Sequence, residues 1–403
     1  MSTPTIFFDD EAAALAPLTD TRASFDIRTG GFTTLGRLKR ALDLNVIALF
    51  VPERLKAVTR QRYAVPVNDI PEGAMGAVLL INGRCPLPLA QITELTLGQR
   101  LVEKSSGHTI ASMVNGAGAR RIVEGDNSGL EVREFDANVL LRRPWNVRTS
   151  RDAAIKVDLT LLHTIPGKAA GPGTFQLGGH PVIIDPSANV YPSVVLNAEA
   201  GGIYIGPNAV IRPGAILSGP CIVMENASVL EHAHIKNYTA IGPGCKVAGE
   251  VSGVVFQGHA NKAHDGFLGD SWVGEWANLG AGTTNSNLLN TYSQVIAQAV
   301  PGSQRERTGE TFLGAIIGDH VKTAIGTRIM TGAVLHTGCM FAQTAAVAGT
   351  VGPFTWATDR GMQAFRFDKF MEIARTVMAR RHVEPTDAYA SLLAELHTEA
   401  VGA

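Results

Sequence analysis

One histidine in this sequence stands at the head of a stretch rich in glycine and asparagine, and proton-transfer chemistry could reside there. His264 lies four residues before Leu268-Gly269-Asp270, and Asn278-Leu279-Gly280-Ala281-Gly282-Thr283 and Asn287 follow. An imidazole titrates near neutrality, so it can take a proton from an attacking nucleophile, a contribution of roughly 10²–10⁴-fold. Negative charge that develops in such an attack needs donors, and a backbone amide of the Gly280-Ala281-Gly282 turn could supply one. His259 lacks this setting, and His232 and His234 lie on a plain repeat, so all three read as structural.

The element that must position His264 is a six-residue repeat. Ile205, Ile211, Leu217, Val223, Val229, Ile235, Ile241 and Val247 are spaced at six without a break. Ile184, Val190 and Leu196 precede them in another phase. Ile317, Thr323, Ile329, Leu335 and Phe341 resume the rhythm, with Thr323 as its polar interruption. A helix would scatter such positions around its axis. A coil with three flat faces turns one aliphatic side chain per face inward, and Gly and Asn take the corners that need positive φ. The expectation is a left-handed parallel β-helix over residues 180–350, strongest from Pro181 to Ala345. Residues 297–313 (AQAVPGSQRERTGETFL) break the rhythm and imply a projecting loop. Its Arg305 and Arg307 read either as a solvated tip or as partners for phosphate groups.

Around the repeat, Gly167–Gly179 reads as the end of a helical and Gly-rich linker, 149–179. Residues 351–403 read as two helices closing the top of the solenoid. The first has Phe367, Phe370, Ile373, Ala374 and Val377 on one face, and the second is capped by Thr386. Residues 1–148 alternate strands and helices, an α/β domain with a mostly parallel sheet.

The segment Gly258–Asn287 resembles the acetyltransferase domain of the bifunctional GlmU enzymes, which make UDP-N-acetylglucosamine. The resemblance implies that His264 is the general base and that Asn278 and Asn287 orient it or the substrates. Arg212, in Ile211-Arg212-Pro213-Gly214, corresponds to the family's sugar-phosphate-binding arginine. The family's tyrosine is Phe267 here, and two substrate-binding lysines fall on Ser252 and Phe312. Nearby basic residues that could stand in are Lys262, Arg305, Arg307 and Lys322. In such acyltransferases projecting loops wall a coenzyme groove between subunits, which implies acetyl-CoA as co-substrate, the Gly280–Gly282 turn beside it, and a homotrimer. The wording of this stretch is closer still to the GlmU-related sugar nucleotidyltransferase and acyltransferase fusions of some bacteria.

Leu15–Arg37 resembles the start of nucleotide-sugar pyrophosphorylases through Pro17-Leu18-Thr19 and Arg22, implying a Rossmann-like nucleotidyltransferase fold. Yet Phe8-Asp9-Asp10-Glu11 replaces the Gly-rich phosphate loop, and acids there repel a triphosphate. Arg84 stands where that family places its Mg²⁺-binding aspartate, so no metal site and no Mg²⁺ are expected, a cation being unable to ligate one. Arg22 and Arg84 remain as phosphate partners for a bound sugar phosphate or nucleotide.

The 403 residues carry a net charge of −1 and 18% charged residues, which offers no basic surface for nucleic acid. No apolar run approaches the roughly 20 residues needed to span a bilayer. The N-terminus has no basic n-region, and a cytoplasmic location is expected. Cys85, Cys221, Cys245 and Cys339 form no metal-ligand spacing and read as buried thiols. Three functions fit these features: an acetyl-CoA-dependent N-acyltransferase on an amino-sugar phosphate or nucleotide sugar, a sugar-1-phosphate nucleotidyltransferase, and a non-catalytic trimeric scaffold.

Overall fold

The structure is a computed structural model that describes residues 3–10, 14–71 and 76–402. The chain forms two compact units. The first comprises 1–15, 21–27 and 32–146, and the second comprises 16–20, 28–31 and 147–403.

In the first unit a six-stranded sheet runs in the order β2-β1-β3-β5-β4-β6. Its strands are β1 (Pro4–Phe8), β2 (Asn45–Phe50), β3 (Ala77–Asn82), β4 (Gln99–Glu103), β5 (Thr109–Asn115) and β6 (Glu131–Phe135). The sheet is mixed: β1 pairs in parallel with β2 and β3, and β4 with β6, whereas β5 runs antiparallel to both β3 and β4. Val78, Leu79, Leu80 and Ile81 are all buried, as suits a strand covered on both faces. The helices are α1 (Thr34–Ala41), α2 (Lys56–Arg62), α3 (Ala90–Thr93) and α4 (Gly116–Val123). Thr33 and Asn115 cap α1 and α4 by accepting the amides of Gly36 and Gly118.

The second unit is a left-handed parallel solenoid of about 10 turns, introduced by α5 (Asn146–Leu162). Its first face holds nine strands, from Val182–Ile184 to Thr350–Val351, with Ile184, Ile205, Val223, Ile241, Phe256, Val273, Ile317, Leu335 and Val351 turned inward. The second face stacks Ile211, Val229 and Val247 inward, and the third Leu196, Leu217, Ile235, Val251 and Leu268. The small residues between these rows, Ala209, Ala215, Ala227 and Ala233 among them, are fully buried at the corners, where a larger side chain would meet the opposite wall.

Three features differ from the sequence reading. Phe175–Leu177, at the end of the linker segment, is already a strand paired with Val195–Asn197, because its backbone completes the open edge of the first coil. The interruption is longer than 297–313 and is ordered: it runs from Leu288 to Phe312, closed by the Leu313 amide on the Asn287 carbonyl, and contains a hairpin of Ile296–Ala297 with Glu306–Arg307. It folds back along the first face, where Ala299 and Gln298 carbonyls accept from His336 and Thr350. Finally, α6 (Phe367–Ala379) and α7 (Asp387–Val401) lie along the side of the solenoid rather than across its end. Phe370 packs on His320 and Phe354, and Tyr389 bonds His320 at 2.9 Å. The hairpin Thr355–Thr358 with Gly361–Ala364 follows the last coil.

The four cysteines are buried, and burial pushes each thiol up to about 12. Leu217→Ala, at a fully buried third-face position, should lower stability by about 3 kcal/mol in urea unfolding, since the coils above and below cannot collapse into the void.

Candidate active site

The inward rows are aliphatic until the coils that carry His264. There Lys262 takes the second-face position above Val247, Asn285 stands next to Leu268 on the third, and Thr323 occupies the second face above Leu279. Each holds a turn. The Lys262 ammonium donates to the carbonyls of His264 (2.8 Å) and Ala248 (3.1 Å). The Asn285 amide clasps Gly269, accepting its N–H at 2.8 Å and donating to its carbonyl at 3.0 Å. Thr323 accepts the Gly280 amide at 3.0 Å and meets the Thr283 hydroxyl at 2.8 Å.

The corner between second and third faces therefore carries a fixed stack. His264 is exposed, and among the described residues its imidazole has no hydrogen-bond partner. The Gly282 amide donates to the Asp265 carbonyl at 3.1 Å, tying the glycine turn to the next coil down. With Gly280 committed to Thr323 and Gly282 to Asp265, Ala281 is the amide of that turn that has no partner among the described residues. The His264 turn and the glycine turn are thus bonded to each other, with an exposed imidazole on the first.

Other sequence-derived residues are placed elsewhere. Asn278 lies round the corner on the second face, its Oδ1 accepting from Asn261 at 2.9 Å. Phe267 and Asn287 share the third face, both against Gly269. Asn287 donates to Asp270 at 2.8 Å, and Asp270 also receives Arg148 and Arg151 of α5. Arg212 is on the same corner as His264 but three coils below, about 14 Å away at the usual strand spacing, paired with Glu231 and stacked on Tyr191. The structure does not bring it to His264. Arg305 and Arg307 are exposed on the hairpin that leaves at the opposite edge of the third face.

In the first unit, Arg84 is wholly buried and makes a bidentate pair with Asp10 at 2.7 and 2.6 Å, with the Leu141 carbonyl as a third acceptor. Asn82 also donates to Asp10, and Asp9 accepts the Ser24 amide. Gly83 permits this: a Cβ there would lie 2.6 Å from the Ser24 hydroxyl. Arg84 is consequently spent inside the protein, and Arg22 is buried at 1% exposure; neither is open to a phosphate as the sequence had suggested. Glu11 lies outside the described residues. A cavity of about 390 Å³ at the carboxyl ends of β1 and β2 is lined by Asp9, Glu53, Asp69 and Glu124, with Arg120 the one cation among the described residues, an unfavourable lining for a triphosphate.

Residues 5–165 match the family model described as sugar nucleotidyl transferase. The bifunctional protein GlmU of Synechococcus elongatus is 29% identical over 170 residues, 39% of this chain and 36% of that one. GlmU of Ralstonia nicotianae is 32% identical over 121 residues, 27% and 26% of the two chains. The chain is similar to GlmU over these stretches. It aligns with only about a third of the length of the GlmU relatives it matches. Among solved structures, an AntD N-acyltransferase mutant from Bacillus cereus is 16% identical over 52% of this chain and 92% of its own, with a TM-score of 0.23. The perosamine N-acetyltransferase of Caulobacter crescentus is 12% identical over 79% and 96%, with a TM-score of 0.20. Likenesses this slight carry no functional weight.

Set beside the GlmU pattern, Phe267 presents a ring where a hydroxyl would be, and the Phe312 carbonyl is occupied by Arg148 at 3.2 Å. The sequence reading did not find that Lys262 is inward. Only fifteen residues separate it from Val247, against the eighteen between Ile211, Val229 and Val247, so the six-residue count loses phase there. Thr323 was visible as a polar interruption, and that signal was the right one.

Lys262 is buried and Lys322 is half-buried with its ammonium out of solvent, and burial lowers each ammonium to about 8. Lys322 has no hydrogen-bond partner. Between about pH 8 and 10.5 the unfolded chain holds the Lys322 proton and the folded chain has released it, so stability attributable to this site rises with pH. Below pH 8 the full cost applies. Lys322→Met should therefore stabilise the protein at pH 7 by roughly 2–3 kcal/mol, a gain that fades as pH rises to 10.5 in urea titrations. A constant difference across that range would refute the assignment.

Proposed function

We propose that this protein transfers the acetyl group of acetyl-CoA to the amine of an amino-sugar phosphate or nucleotide sugar, in a route of the UDP-N-acetylglucosamine kind. The observation that carries the reading is the exposed, unpartnered His264 held by Lys262 beside the Ala281 amide. In the reaction the amine nitrogen attacks the thioester carbonyl as His264 takes its proton. The Ala281 N–H faces the negative charge that develops on the carbonyl oxygen. The C–S bond then breaks and the imidazolium returns the proton to the departing sulfur, leaving an amide and free CoA. Asn278 and Asn287 act on the substrate from the two sides of the corner, Arg305 and Arg307 serve the coenzyme phosphates, and Arg212 takes no part unless a long substrate spans three coils.

The working form is a homotrimer. Phe175, Val195 and Ile216 form an outward apolar row on the third face, with Phe175 61% exposed, and cyclic closure of three such faces would cover them, three to five coils below the candidate site. A second reading, a non-catalytic scaffold, is favoured by Phe267 and by the engagement of Asn287 with Asp270. Nucleotidyl transfer is disfavoured by the Arg84–Asp10 pair.

Free thiol released from acetyl-CoA with a panel of amino-sugar phosphates separates these readings. His264→Ala should lower kcat by roughly 10²-fold or more with coenzyme binding nearly unchanged, and Asn278→Ala by about 10-fold. Wild-type activity in His264→Ala would exclude it as the base, and no thiol release from any amine would favour the scaffold. Light scattering should give three times the 42.7 kDa chain mass. UTP with glucose 1-phosphate and Mg²⁺ should yield no pyrophosphate; EDTA-sensitive turnover would overturn the reading of Arg84.

A further inference from the structure

Where α6 ends against the solenoid, a cavity of about 80 Å³ is lined by His259, Asn261, Trp276, Asn278, Arg380 and Arg381. It lies on the second face, round the corner from His264. The stacked rings of His259 and Trp276, 4.3 Å between centroids and 6° from parallel, line one side. Arg380 and Arg381 follow α6 on the other.

The groups around this cavity are donors without acceptors. Among the described residues neither arginine side chain has a carboxylate or carbonyl partner, and the Arg381 Nε and His259 Nδ1 atoms are buried unbonded. Because Asn261 donates to Asn278 Oδ1, the Asn278 Nδ2 protons remain available. Lys322 stands one row above Asn278, its ammonium also buried and unbonded. No carboxylate lines the cavity; Glu275 and Glu225 act on His259 from outside it. The carbonyls ending α6 would repel an anion, but those of Met378 and Ala379 are already bonded by the amides of Arg381, Val383 and His382. Buried donors left unsatisfied are costly, and cations without partners more so, unless a ligand completes them.

We infer that this cavity is a binding site for a phosphate-class oxyanion, held by Arg380, Arg381 and the Asn278 amide, with Lys322 adding charge from the adjoining row. The cavity is small and opens outward, and it has room for one tetrahedral group between the arginines and Asn278. That group is either free inorganic phosphate or the phosphoryl end of a small metabolite that projects outward past the exposed Arg380. The site stands apart from the acyl-transfer reading except through Asn278, which would then face the anion.

Isothermal calorimetry at constant ionic strength tests it on the full chain, titrating inorganic phosphate, glucosamine 1-phosphate and glucosamine. Saturable binding of phosphate is expected, at least 10-fold weaker in Arg381→Gln and several-fold weaker in Arg380→Gln, and unchanged in His264→Ala. Arg380 is exposed, so its variant reports on the site even if Arg381→Gln fails to fold. Tighter binding of glucosamine 1-phosphate than of phosphate, lost in the same variants, identifies the metabolite as the source; equal affinities identify the free ion. Absence of saturable phosphate and sugar-phosphate binding, or binding that both arginine variants retain in full, overturns the proposal. Loss of acyl transfer in His264→Ala with phosphate binding intact would show that the two sites stand or fall separately.

Discussion

Parallel coils stacked at strand spacing leave the interior of this solenoid no freedom to shift. Each inward side chain must rest on the one below it and support the one above, and most strand amides already belong to the neighbouring coil. Aliphatic residues satisfy this without direction: Ile205, Val223 and Ile241 pack equally well whatever turn follows them. A polar residue in the same row has to find a partner, and the nearest unused groups are those of the turns. An inward polar side chain in such a stack thus becomes a device for fixing one turn, at the expense of the apolar burial it replaces.

Lys262, Asn285 and Thr323 are three such devices, and they fall in the coils that hold His264, Gly269 and the glycine turn. Their effect is to make a corner rigid where most corners of the solenoid rely on Gly and Asn geometry alone. His264 then projects from a turn whose carbonyl is held, beside a turn in which one amide, that of Ala281, is left over. The Arg84–Asp10 pair in the first unit follows the same logic in the opposite direction. There a buried charge satisfied from within closes a position that could otherwise have served a ligand.

The solenoid was legible because its signal is a strict period carried by aliphatic residues, and eight consecutive matches at six admit little else. The first three strands and the first helix of the N-terminal unit were legible as well, because Val78–Ile81 and Thr34–Ala41 have clear local patterns. The antiparallel β5 was not, since pairing direction depends on where the chain returns rather than on any residue in the strand. His264 could be found because its spacing to Leu268-Gly269-Asp270 resembles a known motif. What surrounds it could not: Lys262 is inward only because its coil is shorter, and Asn287 meets Asp270 because α5 brings Arg148 and Arg151 to the same carboxylate. Contacts of that kind depend on where α5 packs along the coils, which no local spacing records.

The central claim is that a polar break in the aliphatic row positions the catalytic turn. Lys262→Met tests it most directly, since methionine fills the row and removes only the bonds to His264 and Ala248. Steady-state acetyl transfer to the amino-sugar substrate is the measurement. The account predicts a fold that is at least as stable, a KM little changed, and a kcat lower by roughly 10-fold or more, as loss of alignment at the base would produce. A Lys262→Met protein with the wild-type kcat would contradict it.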